Sequence, residues 1–238
     1  MRHDVRMGMI RRAGGAGLVL AMALLVFGGS SARAAETIVA DPVCCTFAPG
    51  PYFQDLGEIP DFNNPADADA PHNVTANDKG PDGAPLFRSI SITSDSTVPV
   101  KGTQYLNGGD YRFFCTIHGP SMKGKLVVEA GKGSVVSRPD IKVTIPNQSL
   151  NKVRRSGKLK LKVKAKTKSS GISLKAKKGS KTLASSSGLK LSAGAARTVK
   201  LKLKSSGRKA IKKGKKVKVS ATGSVAFGKT AKAKRTLR

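Results

Sequence analysis

Between Gly157 and Lys168 lysine occupies every even position, and Leu159, Leu161, Val163 and Ala165 fill the places between. A side-chain period of two belongs to a strand with one buried and one wet face. An amphipathic helix would need an apolar stripe of period 3.6, which this spacing cannot supply. The pattern recurs. Val199, Leu201 and Leu203 alternate with Lys200, Lys202 and Lys204, and Val217 and Val219 alternate with Lys216 and Lys218. Ile141, Val143 and Ile145 show the same period earlier. With Ser/Gly turns between, residues 141–238 hold about seven strands, enough for a small β-sandwich. Ser205 to Lys213 is expected to form one short helix.

The alternation also locates the charge. The chain of 238 residues carries a formal +30, from 44 Lys+Arg and 14 Asp+Glu. From Ile141 to Arg238 there are 31 basic residues and no acidic ones, whereas Ala35 to Asp140 holds 8 basic and 13 acidic. Two unlike parts therefore follow one another. Residues 132–140, with Gly131 to Pro139 reading Gly-Lys-Gly-Ser-Val-Val-Ser-Arg-Pro, are expected to be the linker between them. Residues 1–34 differ again. Arg2, Arg6, Arg11 and Arg12 precede an apolar run from Ala16 to Phe27, and Ala32-Arg33-Ala34 supplies a small-residue cleavage site. This is the anatomy of a secretory signal peptide. The run is too short for a spanning helix of about 20 apolar residues. The expected mature chain is exported, to the periplasm, cell surface or medium, with no transmembrane span.

After cleavage at residue 34, soft ligands are scarce: His72, His118, Met122 and the three cysteines Cys44, Cys45 and Cys115. Cys115, His118 and Met122 fall within eight residues, Cys115-Thr116-Ile117-His118-Gly119-Pro120-Ser121-Met122. Two imidazoles and a thiolate with a weak thioether make the donor set of a mononuclear electron-transfer copper site. Zinc accepts Cys and His but rarely Met, and iron–sulfur clusters require more thiolates. A Cys115–His118 nucleophile pair would leave Met122 without a role. Tyr111 to Cys115 and Lys125 to Glu129 read as strands, and Gly119, Pro120 and Gly124 make the connection turn-rich. One hairpin end would then present Cys115, His118 and Met122, with His72 arriving from Ala70-Pro71-His72-Asn73-Val74.

Pro71-His72-Asn73-Val74, Tyr111-Arg112-Phe113-Phe114-Cys115-Thr116-Ile117-His118 and Met122-Lys123-Gly124-Lys125 together resemble the blue copper proteins, the plastocyanin/azurin-like cupredoxins. The resemblance covers roughly Glu36 to Gly131. It implies an all-β, Greek-key, eight-stranded sandwich over residues 35–131 with one type 1 copper near one end, cycling between Cu(I) and Cu(II). It makes His72, Cys115 and His118 the strong ligands, Met122 the weak axial one, and Asn73 the residue that supports the thiolate and the first-ligand loop. It also makes the His118 edge the electron exit. Three residues separate His118 from Met122, where plastocyanins usually have four. Residues 141–238 resemble, by composition, the Lys-rich immunoglobulin-like domains appended to secreted bacterial proteins. The fold expected for the whole is thus a cupredoxin sandwich followed by a smaller immunoglobulin-like one.

Multicopper oxidases and nitrite reductases add several histidines for further copper centres, and here both mature histidines are already used. A carrier rather than an enzyme is therefore expected, exchanging electrons with redox donor and acceptor proteins. The competing reading is extracytoplasmic copper storage or delivery with the same ligands. Cys44 and Cys45 leave three readings: a disulfide between neighbours, two free thiols, or bonds to another chain. Asn73-Val74-Thr75 matches a glycosylation sequon but lies beside a ligand. For the basic segment the readings are a solvated lysine face that blocks aggregation, an anchor to an anionic cell-envelope polymer, and steering of an acidic partner. Specific nucleic-acid binding is not expected, because Phe227 is the segment's single aromatic and no recognition helix is evident.

Overall fold

The structure is a computed structural model, and it describes residues 34–43 and 45–238. The expected signal peptide, apart from Ala34, lies outside them, as does Cys44. Among the described residues the fold is all-β, with two short α-helices and one 3-10 turn.

The first half contributes β1 (Ile38–Val39), β2 (Tyr52–Leu56), β3 (Asp61–Asn64), β4 (Thr75–Ala76), β5 (Ser96–Pro99), β6 (Gly109–Cys115) and β7 (Gly119–Gly133). These are seven strands among the described residues, where the cupredoxin resemblance implies eight. They form two sheets, ordered β1-β3-β5 and β2-β7-β6-β4. In the second, β6 and β7 are an antiparallel hairpin, β2 runs parallel to β7, and β4 pairs antiparallel with β6. The core between them is aromatic. Phe113 is fully buried on β6, with the Phe47 ring 5.0 Å away edge-on, Tyr52 at 6.1 Å and Phe87 at 6.4 Å. Edge-to-face contacts of this kind add to simple area burial.

The second half contributes β8 (Ile141–Thr144), α1 (Leu150–Ser156), β9 (Lys158–Ala165), β10 (Ser169–Lys178), β11 (Lys181–Leu191), β12 (Ala196–Lys202), α2 (Ser205–Lys212), β13 (Val217–Ser224) and β14 (Ala231–Leu237). Its sheets are β12-β9-β8 and β11-β10-β13-β14. On β9 the alternation is realised directly: Leu159, Leu161, Val163 and Ala165 are buried, and the lysines between them face out. The expected helix is α2, which turns Ile211 inward. The inward residues form a core of their own, separate from the aromatic core of the first half.

The described residues nevertheless belong to one compact unit. Between the halves, Ser134 N–H donates to Leu56 O at 3.1 Å and Val136 N–H to Gln104 O at 3.1 Å. The Arg138 guanidinium donates to Tyr105 O at 3.1 Å and lies 5.4 Å above the Tyr105 ring. From the second half, Phe227 N–H donates to Asp82 Oδ2 at 2.9 Å, and the Phe227 ring sits 4.6 Å under the Arg88 guanidinium. Residues 134–138 are thus hydrogen-bonded along their length, and β7 itself runs on to Gly133.

Candidate metal centre

Each side of the centre is placed by backbone pairing. Cys115 ends β6 and pairs with Gly119, whereas Phe114 pairs with Lys123. Pro120, Ser121 and Met122 therefore have no counterpart on β6, and the hairpin end is a bulge, a device common beside functional sites. Thr116 to His118 form the turn, closed by Gly119 at φ 65°, a left-handed conformation suited to glycine. Ser121 Oγ–H donates to His118 O at 2.7 Å and pins the turn to the bulge.

His72 arrives from a separate segment. Its N–H donates to Ile92 O and its O accepts from Ile92 N–H, both at 3.0 Å. Asn64 Nδ2 donates to Ala70 O at 3.0 Å and to Ile92 O at 3.2 Å, so the same side chain ties both flanks of the His72 approach.

Ligand atoms of His72, Cys115 and His118 lie within 4.8 Å of one another. Cys115 Sγ is 3.9 Å from His72 Nδ1, and the two imidazole rings are 4.7 Å apart at 41°. Cys115 is a free, fully buried thiol, and His72 is 1% exposed. His118 is half-buried. Met122 is fully buried on β7. Burial pushes the His72 imidazole below its ordinary pKa, and the neighbouring His118 adds to that shift.

Asn73 holds the two segments together. Its Oδ1 accepts from Thr116 N–H at 3.0 Å and from Thr75 Oγ1–H at 3.2 Å. Its Nδ2 donates to Ser91 Oγ at 2.9 Å and to Thr116 Oγ1 at 2.8 Å. The residue after His72 is thereby bonded to the residue after Cys115. Thr116 lies inside the quoted motif, but its role as a partner, like those of Ser91 and Asn64, carries no sequence signal, because each contact joins positions far apart in the chain.

His118 Nδ1 is buried without a hydrogen-bond partner, and so is His72 Nε2, whereas His72 Nδ1 is the nitrogen that approaches Cys115 Sγ. A buried polar group left unpaired costs roughly 1–3 kcal/mol. A metal ion held through His118 Nδ1 would satisfy one of these nitrogens. Two nitrogens and a sulfur suit copper or zinc, and oxygen-seeking cations such as magnesium and calcium are excluded by the donor chemistry. The residues fit a metal. Cys45 is disulfide-bonded and stands apart from this group.

No protein-family model matches the sequence, and no curated protein matches it. Among solved structures, a copper-containing nitrite reductase from Thermus scotoductus SA-01 is similar at 22% identity and TM-score 0.30, over 39% of this chain and 22% of that one. The BSP domain of a biofilm-associated protein is similar at 12% identity and TM-score 0.25, over 71% of this chain and 25% of that one. A tetra-tandem repeat from the extending region of a large adhesion protein is similar at 13% identity and TM-score 0.30, over 71% and 42%. No helix among the described residues is long and apolar enough to cross a membrane.

Proposed function

We propose that the chain is an exported one-electron carrier holding a single copper ion at His72, Cys115, His118 and Met122. The observation that carries this reading is the convergence of two imidazoles and one thiol, with ligand atoms within 4.8 Å of one another and His72 and Cys115 buried. Copper bound there supplies reversible one-electron chemistry between Cu(I) and Cu(II). The protein's own residues supply the rest. Burial lowers the His72 pKa, which favours the neutral ring and its free lone pair. Asn73 and the Ile92 bridge tie the ligand segments together through protein–protein hydrogen bonds, which would limit rearrangement on a change of charge.

Electrons leave and enter at the His118 edge. His118 is half-buried where His72 and Cys115 are closed off. Ile117 (48% exposed) and Ile90 (69%) each stand one residue outside the Thr116–Asn73–Ser91 bridge, giving that end an apolar contact surface for a redox protein. Catalysis is not part of the proposal. His72 and His118 are the two histidines of the described residues, and both are committed to one centre, which leaves none for a second.

The test is copper titration of the purified chain, followed by visible spectroscopy and voltammetry. The intact protein is expected to take up one copper, to develop intense thiolate-to-copper absorption, and to show a reversible one-electron wave. Cys115→Ser is expected to abolish the colour. Unchanged colour in that variant would overturn the ligand assignment. Irreversible voltammetry with rapid release of copper to a chelator would replace the carrier with storage or delivery.

A further inference from the structure

The two outer faces of the basic half distribute their lysines differently. On the β10–β13–β14 face, lysines are separated by hydroxyls: Lys175 is opposite Thr222, which is opposite Lys232, and Lys177 is opposite Ser220, which is opposite Lys234. On β8–β9–β12 they are not. Lys158 is directly opposite Lys202, Lys160 opposite Lys200, and Lys164 opposite Lys142. Lys162 completes the row on β9, flanked by Thr198 and Thr144.

Like charges directly opposite on neighbouring strands destabilise a sheet. Here nothing within the half relieves them, because residues 141–238 contain no Asp or Glu, and the adjoining Asp140 is bonded to Lys166 at 2.8 Å. Protection of a sheet edge does not explain the arrangement either. Edges are guarded by charges on edge strands, whereas four of these lysines stand on β9, the central strand. The β11-β10-β13-β14 sheet holds one facing lysine pair, Lys178 and Lys181 at the β10–β11 turn, whereas β8–β9–β12 holds three.

We infer that the β8–β9–β12 face binds an extended, single-chain polyanion bearing phosphate or phosphodiester groups, which runs along the β9 lysine row. Alternate residues on a strand are about 6.6–6.8 Å apart and neighbouring strands about 4.8 Å apart. The ammonium groups therefore form a narrow grid, suited to a linear charged polymer. The other residues on this face are Thr144, Thr198 and Ala196. No aromatic or large apolar side chain is there to enter a bilayer or stack on a base. The inference is independent of the copper centre.

Long-chain inorganic polyphosphate is the probe, titrated into the full chain at 50 and 200 mM salt. Two triple variants carry the same change of net charge: Lys160→Gln/Lys162→Gln/Lys200→Gln on the proposed face, and Lys175→Gln/Lys177→Gln/Lys232→Gln on the other. All six positions lie on outward faces, and circular dichroism checks the fold of each variant. The first is expected to bind at least about tenfold more weakly at 50 mM salt and to lose about two from the slope of log affinity against log salt. The second is expected to bind within about threefold of the parent. Equal loss in the two variants would overturn the assignment to this face. Tighter binding of phosphatidylglycerol vesicles or duplex DNA than of polyphosphate, at the same salt, would overturn the choice of partner.

Discussion

Replacing Asn73 by alanine tests how the two ligand segments are held. The amide is 5% exposed, and both its oxygen and its nitrogen are doubly bonded. Its loss removes the acceptor of Thr116 N–H, a part-buried bond worth about 0.5–1.5 kcal/mol. Thr75 loses its acceptor while 8% exposed, adding about 1 kcal/mol. Ser91 and Thr116 are exposed, so their hydroxyls can turn to water at little cost. The sum is about 1.5–2.5 kcal/mol, which urea denaturation of the metal-free protein measures directly. Because the amide bridges the residues that follow His72 and Cys115, copper affinity should fall as well, by about 10–100-fold. Asn73→Asp keeps an acceptor for Thr116 N–H, so its metal-free stability should fall less than that of Asn73→Ala. A stability of Asn73→Ala within 0.5 kcal/mol of the parent, with unchanged copper affinity, would refute the account.

Two further perturbations follow. A Cβ on Gly124 would lie 2.4 Å from Phe113 Cζ, and Phe47, Tyr52 and Phe87 leave that ring nowhere to go. Gly124→Ala should therefore cost about 1–3 kcal/mol, partly recovered in the Gly124→Ala/Phe113→Leu double variant; fully additive losses in thermal unfolding would contradict this. The depressed His72 pKa makes the folded, metal-free chain bind fewer protons than the unfolded one once the pH drops below about 6.5. The contribution of neutral His72 is thus present above that pH and lost as pH falls through the folded value. The stability gap between the parent and His72→Gln should narrow from pH 7.5 to pH 5, and a constant gap in denaturant melts would count against it.

Legibility followed the range of the interactions. Strand β9 could be read because alternation is local, and each residue declares its face by its neighbour. The grouping of Cys115 and His118 was visible because one hairpin end carries both. His72 was visible through Pro71 and Asn73 beside it. What stayed hidden depends on distant partners: Asn64 on Ile92, Asn73 on Ser91, and the parallel pairing of β2 with β7. Helix α1 was also unread. Its apolar residues Leu150 and Val153 span a single turn, too short a window for a helical period to stand out. The stretch around residues 42–69, rich in Pro, Asp and Asn, shows no alternating period, yet it forms β2 and β3 through pairing with β7 and β5.

The bonded segment between the halves has a mechanical meaning. Five flexible residues would let one half wander over a radius of about 12 Å from the other. Residues 134–138 are instead tied to Leu56, Gln104 and Tyr105. At their start they continue directly from β7, which runs as one strand from Gly119 to Gly133 and carries Met122 near its far end. Tension applied to the basic half would therefore not be absorbed by slack. It would be shared between these ties, the Phe227–Asp82 bond and β7, whose strand leads toward the thioether.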